Sequence, residues 1–293
     1  RHMAVAKIVK ALSQYDSKRE TQYQISSRMY GNVNLMGLNG LSYAKITSVQ
    51  NALKDRISYN VVQSSIDTVT AKIAKNRPKP LFLTSGGDYK IQRKAKKLNK
   101  FIEGLFYENH AYDLGTQIFR DGCVFGDGFI HVFEHYGRVC FERVIPSELY
   151  VDWVEAFYGQ PRQIHRVKNV DRQVLLAMFP EKKKEILEAN GASADMTGSY
   201  QNVADQVTVI ESWHLRAGPD SKDGLHSINI ETANLFEEKY EKDFFPFAQF
   251  SWSKRMYGYF GQGAAEQLQN IQLEINKILW IIQRSMHLAG SFK

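Results

Sequence analysis

Four soft metal ligands, Cys123, His131, His135 and Cys140, fall within eighteen positions of this 293-residue chain. Two thiolates and two imidazoles are a donor set that zinc accepts in a tetrahedron. Structural zinc sites, however, bring their ligands in close pairs such as CxxC, and no such pair occurs here. In a strand, His131 and His135 share a face with Phe129 and Phe133 while Cys123 precedes a turn at 126–128, so the spacing does not bring the four together. The neighbouring "GCVFGDG" is glycine-rich but lacks the Lys-Ser/Thr pair and following helix of a phosphate-cradling loop. Asp127 and Asp152 stand outside any repeated acidic motif, and Asp127 between two glycines reads as a turn residue. Neither a nucleophile elbow nor a Cys-His signature is found. The expectation is a protein without a catalytic set, a metal or a cofactor.

Two other patterns concern binding rather than bond-making. Between residues 72 and 100, Lys72, Lys75, Arg77, Lys79, Lys90, Arg93, Lys94, Lys96, Lys97 and Lys100 face Asp88 alone, an excess larger than the chain's net charge of +7. Such a stripe attracts polyanions through counterion release, and it is also how an ordinary solvated helix looks. The second pattern lies in "GYFGQGAAEQLQNIQLEINKILWIIQRSM", residues 258–286. Ala264, Leu268, Ile271, Ile275, Ile278 and Ile282 recur at steps of four and three, one side of a helix. The other side is mostly amide, Gln267, Gln269, Asn270, Gln272, Asn276 and Gln283, with few charges. That face either meets plain water or serves a surrounding that favours uncharged hydrogen-bonding groups.

The elements that must hold these groups are legible in outline. With 43% hydrophobic and 12% aromatic residues the chain is globular, and its apolar runs fall short of the ~20 residues a membrane span needs. Arg1-His2-Met3 reads as a tag remnant, no charged-then-apolar leader follows, and two cysteines offer no disulfide framework, which suits a reducing cytoplasm. Residues 4–30 read as an arm outside the core, followed by a turn-rich stretch with Gly31, Gly37 and Gly40. The periodicity predicts helices over Tyr59–Asn76, stopped by Pro78 and Pro80, over Tyr89–His110 with Leu98, Ile102, Leu105 and Phe106 inward, and over Leu114–Gly122. "LFLTS" reads as a strand; "GFIHVFEHYGRVCFERVIP" reads as a hairpin turning at Tyr136-Gly137, and "ELYVDW" as a further strand. Asp171 caps a short helix, Pro180 starts another that Gly191 closes, a polar loop follows, and "QVTVIESWHL" and "HSINIE" are strands. The order is that of an α+β fold.

Taken in order, "YNVVQSSIDTVTAKIAKNRPKP", the "G-D-G" before an aromatic strand, "VIPSELYVDW", and the "P-F" and "G-Q-G" before a Gln-rich helix resemble tailed-bacteriophage portal proteins over roughly residues 56–290. The resemblance implies a non-enzymatic ring, usually of twelve subunits, at one capsid vertex of the virion. It implies assembly in the host cytoplasm, a channel for double-stranded DNA in packaging and ejection, and partners in terminase, capsid, scaffold and tail adaptor. It further implies an N-terminal arm at 1–55, a wing with the start of the stem at 56–200, a β-rich clip-like region at 201–257 and a truncated stem helix at 258–293, the channel loop and crown being missing. On this reading Gln267, Asn270, Gln272, Asn276 and Gln283 approach the channel, where amides hydrate a wall without gripping phosphates, and Leu268, Ile271, Ile275, Ile278 and Ile282 pack subunits together. Arg93, Lys94, Lys96, Lys97 and Lys100 form a basic surface away from it. The alternatives are a non-channel nucleic-acid-binding module using the 72–100 stripe, or a metal-dependent enzyme built on the Cys/His group.

Overall fold

The computed structural model describes residues 2–31, 59–84, 86, 88–191, 205–218 and 220–290. The stretch around Gly37 and Gly40 and the polar loop after Gly191 lie outside the described residues, as does Arg1. The fold is α+β, with helices packed on two antiparallel sheets. The first sheet has the order β2-β1-β8, from β1 (Asp127–His135), β2 (Arg138–Val144) and β8 (Phe247–Ser251). The second has the order β3-β4-β5-β6-β7, from β3 (Leu149–Tyr150), β4 (Gln163–Asp171), β5 (Gln206–His214), β6 (Leu225–Ile230) and β7 (Asn234–Lys239). The hairpin turns where expected: Tyr136 at φ 49° and Gly137 at φ 74° are both left-handed, as a two-residue turn matching strand twist requires. Phe129, Val144, Leu149, Ile164 and Trp213, each nearly or fully buried, form one core joining the two sheets.

Helices α1 (His2–Tyr15) and α2 (Ser17–Tyr30) correct the reading of 4–30 as an arm outside the core. Val9, Leu12, Tyr23 and Met29 are buried, because their isolated apolar positions line up on the helix sides that meet the body. Helix α3 (Val61–Ala74) starts at Asn60, whose Oδ1 accepts from Gln63 N at 2.9 Å while its amide donates to the carbonyls of Met29 and Tyr30. Helix α4 (Tyr89–Glu108) is capped by Asp88, and α5 (Ala111–Phe125) follows at once. Asp171 caps α6 (Arg172–Met178), accepting from Gln173 N at 2.7 Å. After a 3-10 turn from Pro180, α7 (Lys183–Glu188) stops before Gly191. Leu175 of α6 and Ile186 of α7 bury against Val207, Val209, Ile230 and Leu235 in a second core. The last and longest helix, α8 (Ala264–Gly290), starts six residues later than the stretch from Gly258 suggested.

One expected strand fails and another is shortened. "LFLTS" forms none among its described residues: Leu81 and Leu83 are largely exposed, and among the described residues no neighbouring strand pairs with them. "ELYVDW" supplies only β3, after which Asp152 Oδ1 accepts from Val154 N and Glu155 N and turns the chain.

Candidate functional site

The beginning of α8 is held by two glycine-flanked segments locked backbone to backbone. Gly126, at φ 108°, has no room for a side chain: a Cβ there would lie 2.7 Å from Gly261 O. A Cβ on Gly263 would meet Val124 O at 2.7 Å and Cys123 O at 2.9 Å. Between them sits Asp127, fully buried. Its carboxylate accepts from Gly261 N at 2.5 Å, Ser251 Oγ at 2.7 Å and Gln249 Nε2 at 3.0 Å. Burial pushes this carboxyl above its ordinary range even though these hydrogen bonds oppose the shift. Asp127 is therefore no turn residue; it opens β1 and ties it to the segment that launches α8. Trp252 N donates to Gly126 O and Gln262 N to Ser253 O, and Arg255 grips Glu266 of α8 with Nη2 at 2.8 and 2.6 Å from its two oxygens. From α2, Arg19 donates to the carbonyls of Pro146 and Leu149, both at 2.9 Å, and lies 3.9 Å over the Phe260 ring.

The first turns of α8 bury Ala264 and Ala265 with Val62, Ile66, Cys123 and Val124, and Leu268 packs against the same cluster. Leu268, half-buried, is thus engaged at least in part within its own subunit. The amides follow the same logic. Gln272 is only 4% exposed, and its Oε1 accepts from Val61 N at 2.8 Å and Val62 N at 3.4 Å, meeting free donors at the start of α3. Its Nε2 donates to Tyr59 O at 2.7 Å and to Asn276 Oδ1 at 3.0 Å. Gln269 accepts from Gln22 of α2 at 2.9 Å. A neutral amide can accept and donate at one buried place without the desolvation cost of a charge. The expectation that Gln272 lines a channel is corrected, because the subunit's own α3 covers it. Gln267 and Asn270 are exposed, and Asn276 and Gln283 half-buried.

Outside this seat, among the described residues, α8 stands clear of the body. Ile271, Ile278 and Ile282 are 56%, 53% and 49% exposed, whereas Ile275 is half-buried. Leu273, Trp280, Ile281, Met286 and Leu288 are exposed as well, residues the four-three stripe did not include. Over "ILWII", residues 278–282, apolar side chains point all round the helix, a pattern that belongs in a buried environment. The signal was present in that run of five. No helix among the described residues is long and apolar enough to cross a membrane.

The remaining predicted groups do not converge here. Cys123 is buried in the α3/α5/α8 core, where burial pushes its thiol up to about 12. His131 lies between the sheets, with Nδ1 3.5 Å from Glu142 and 3.4 Å from Arg166, while His135 is exposed near the hairpin turn. Among the described residues no three His, Cys, Asp or Glu side chains are placed to share a metal ion. Arg166, 2% exposed, pairs with Glu142 at 2.7 Å and Glu148 at 2.9 Å, bridging the sheets. His226 places one ring nitrogen 3.0 Å from Glu211 and the other 2.8 Å from Glu238, and stacks on Trp213 at 5.1 Å. Arg93, Lys94, Lys96, Lys97 and Lys100 are all exposed along α4.

The chain belongs to the phage P22-like portal protein family, which matches residues 12–255. It is thus a tailed-phage portal protein, a structural component of the virion. Comparison with curated proteins gives no match.

Proposed function

We propose that this portal protein closes into a ring at one capsid vertex, and that double-stranded DNA passes through the ring during packaging and ejection. The observation that carries the reading is the end of α8, apolar on all sides at 278–282 and projecting from a seat that fixes its direction. Neighbouring copies of the same helix would cover it, each giving one side and receiving another, as a closed cyclic assembly demands. A ring of twelve is the expectation from the family resemblance. In this reading 258–293 is the stem helix, 201–257 the clip-like region, and 56–200 the wing with the start of the stem. The segment 1–55, assigned as an arm, lends α1 and α2 to the body. Ile271, Ile278 and Ile282 meet neighbouring subunits; Gln267 and Asn270 remain the amides nearest to a channel role. The basic face of α4 lies outside the channel, since its charge density is unsuited to a wall that must release phosphates. Terminase, capsid, scaffold and tail adaptor are the partners, and assembly takes place in the host cytoplasm.

The test is packaging by particles built with Gln267→Arg plus Asn270→Arg. Repeated around the ring, these would add cumulative phosphate attraction and slow DNA entry, although each contact is worth only ~1 kcal/mol in high dielectric. Unchanged packaging velocity in an intact ring would remove both residues from the channel.

A further inference from the structure

On α4 a second apolar row faces solvent. Ile91, Leu98 and Phe101 are 51%, 46% and 58% exposed, and with Lys94 and half-buried Leu105 they step by three and four residues along one flank. That is the spacing of a coiled-coil seam, with Lys90 and Lys97 beside it. The seam differs from the flank on which Ala95, Asn99, Ile102 and Phe106 are half-buried. Phe106 meets Tyr112 and Phe141 edge-on at 5.8 and 6.1 Å, and Asn99 Oδ1 accepts from Phe82 N at 2.8 Å. Asn109 ties the end of α4 to Val139 O and Phe141 N on β2. Among the described residues Lys90, Arg93, Lys94, Lys96, Lys97 and Lys100 form no ion pair, so their charge is uncompensated.

We propose that this face is a docking site for an acidic amphipathic helix of a partner protein. Its apolar row would bury on Ile91, Leu98 and Phe101 while its carboxylates meet Lys90, Lys94 and Lys97. Charge complementarity selects an acidic partner. The apolar row selects protein over duplex DNA, whose phosphates offer nothing to bury against three apolar side chains and lose hydration opposite them. The chain's own 32–58 segment carries Lys45, Lys54 and Arg56 against Asp55, the wrong sign to be the occupant. A second copy meeting this face through its own α4 would bring the same lysines against it.

The test titrates the whole protein into a labelled synthetic 21-residue peptide with Leu at heptad core positions and Glu flanking them, read by fluorescence anisotropy. Parallel arms use the same peptide with Lys for Glu, and a labelled 20-base-pair duplex. The acidic peptide binds and the basic one does not. Leu98→Gln with Phe101→Gln weakens peptide binding at least tenfold and leaves duplex binding unchanged; Lys94→Glu with Lys97→Glu weakens both. All four side chains are exposed, and an unchanged thermal melt confirms folding; Ile91→Gln repeats the apolar arm alone. The proposal is overturned if the acidic peptide fails to bind. It is also overturned if the Gln variants bind peptide as wild type does, which leaves only a phosphate-type surface, or if they alter the protein's own assembly mass, which assigns the face to a second copy.

Discussion

Two stretches of α8 solve opposite problems. At 264–276 the helix turns small apolar residues and neutral amides toward its own subunit on one side, while Ile271 and Leu273 stay exposed on the other: Ala265 is fully buried and Gln272 completes the start of α3. From 277 to 290 the side chains grow larger and more apolar while contact with the body falls away. A helix of 27 residues reaches about 40 Å, so a seat of three to four turns holds a largely exposed lever of about the same length. The lesson is that the amides and the isoleucines, which look in sequence like two faces of one surface helix, divide along its length. Root residues fix direction, and end residues await a partner.

Breaking the root should cost most. Asp127→Ala leaves Gly261 N–H without its buried acceptor and frees the segment that launches α8; the expected loss is about 2–4 kcal/mol, measured by urea unfolding. Gln272→Ala removes the acceptor at the start of α3 and the donor to Tyr59 O, with an expected loss of about 1–3 kcal/mol by the same measurement. If both variants melt like wild type, the root is not the anchor described.

In the second sheet, titration of two histidines gives a smaller effect. Burial pulls His226 down, but hydrogen bonds to Glu211 and Glu238 outweigh it and raise the folded value above the ordinary 6.5. The stabilisation is therefore complete below about pH 6.5 and declines as pH rises through the folded value. Burial and, less strongly, His214 hold His165 at about 4, so its contribution is complete above about pH 6.5 and disappears as pH falls toward 4. Thermal melts of His226→Gln should show no decline of the first kind, with Trp213 fluorescence as the local reporter. The smallest effect on the isolated subunit belongs to the end of α8: Ile278→Ser with Ile282→Ser should change subunit stability by no more than about 0.5 kcal/mol. A large loss there would mean that the end is part of the fold.

Local chemistry makes much of this visible in the sequence. The Tyr136-Gly137 hairpin, the Asp171 cap and the helices before and after Pro78 follow from turn, cap and period. β4 escapes such a reading because His165 and Arg166, buried and polar, break the alternation that marks a strand. β7 escapes it because Glu237, Glu238 and Lys239 put three successive charges into its second half, which a sheet edge tolerates and a sequence pattern does not flag. Asp127 misleads for a different reason: its partner Gly261 stands 134 positions away, and nothing near "GDG" announces it. Likewise Gln272 looks solvent-facing until α3 is brought beneath it.

The most direct measurement is sedimentation velocity of the whole chain across a wide concentration range, beside Ile278→Asp with Ile282→Asp. The account predicts that wild type shifts toward a multi-subunit closed species while the Asp variant, equally well folded by circular dichroism, stays at the mass of one subunit. A wild-type protein that remains a single subunit throughout, or an Asp variant that assembles as readily, would contradict the claim that neighbouring subunits cover the end of α8.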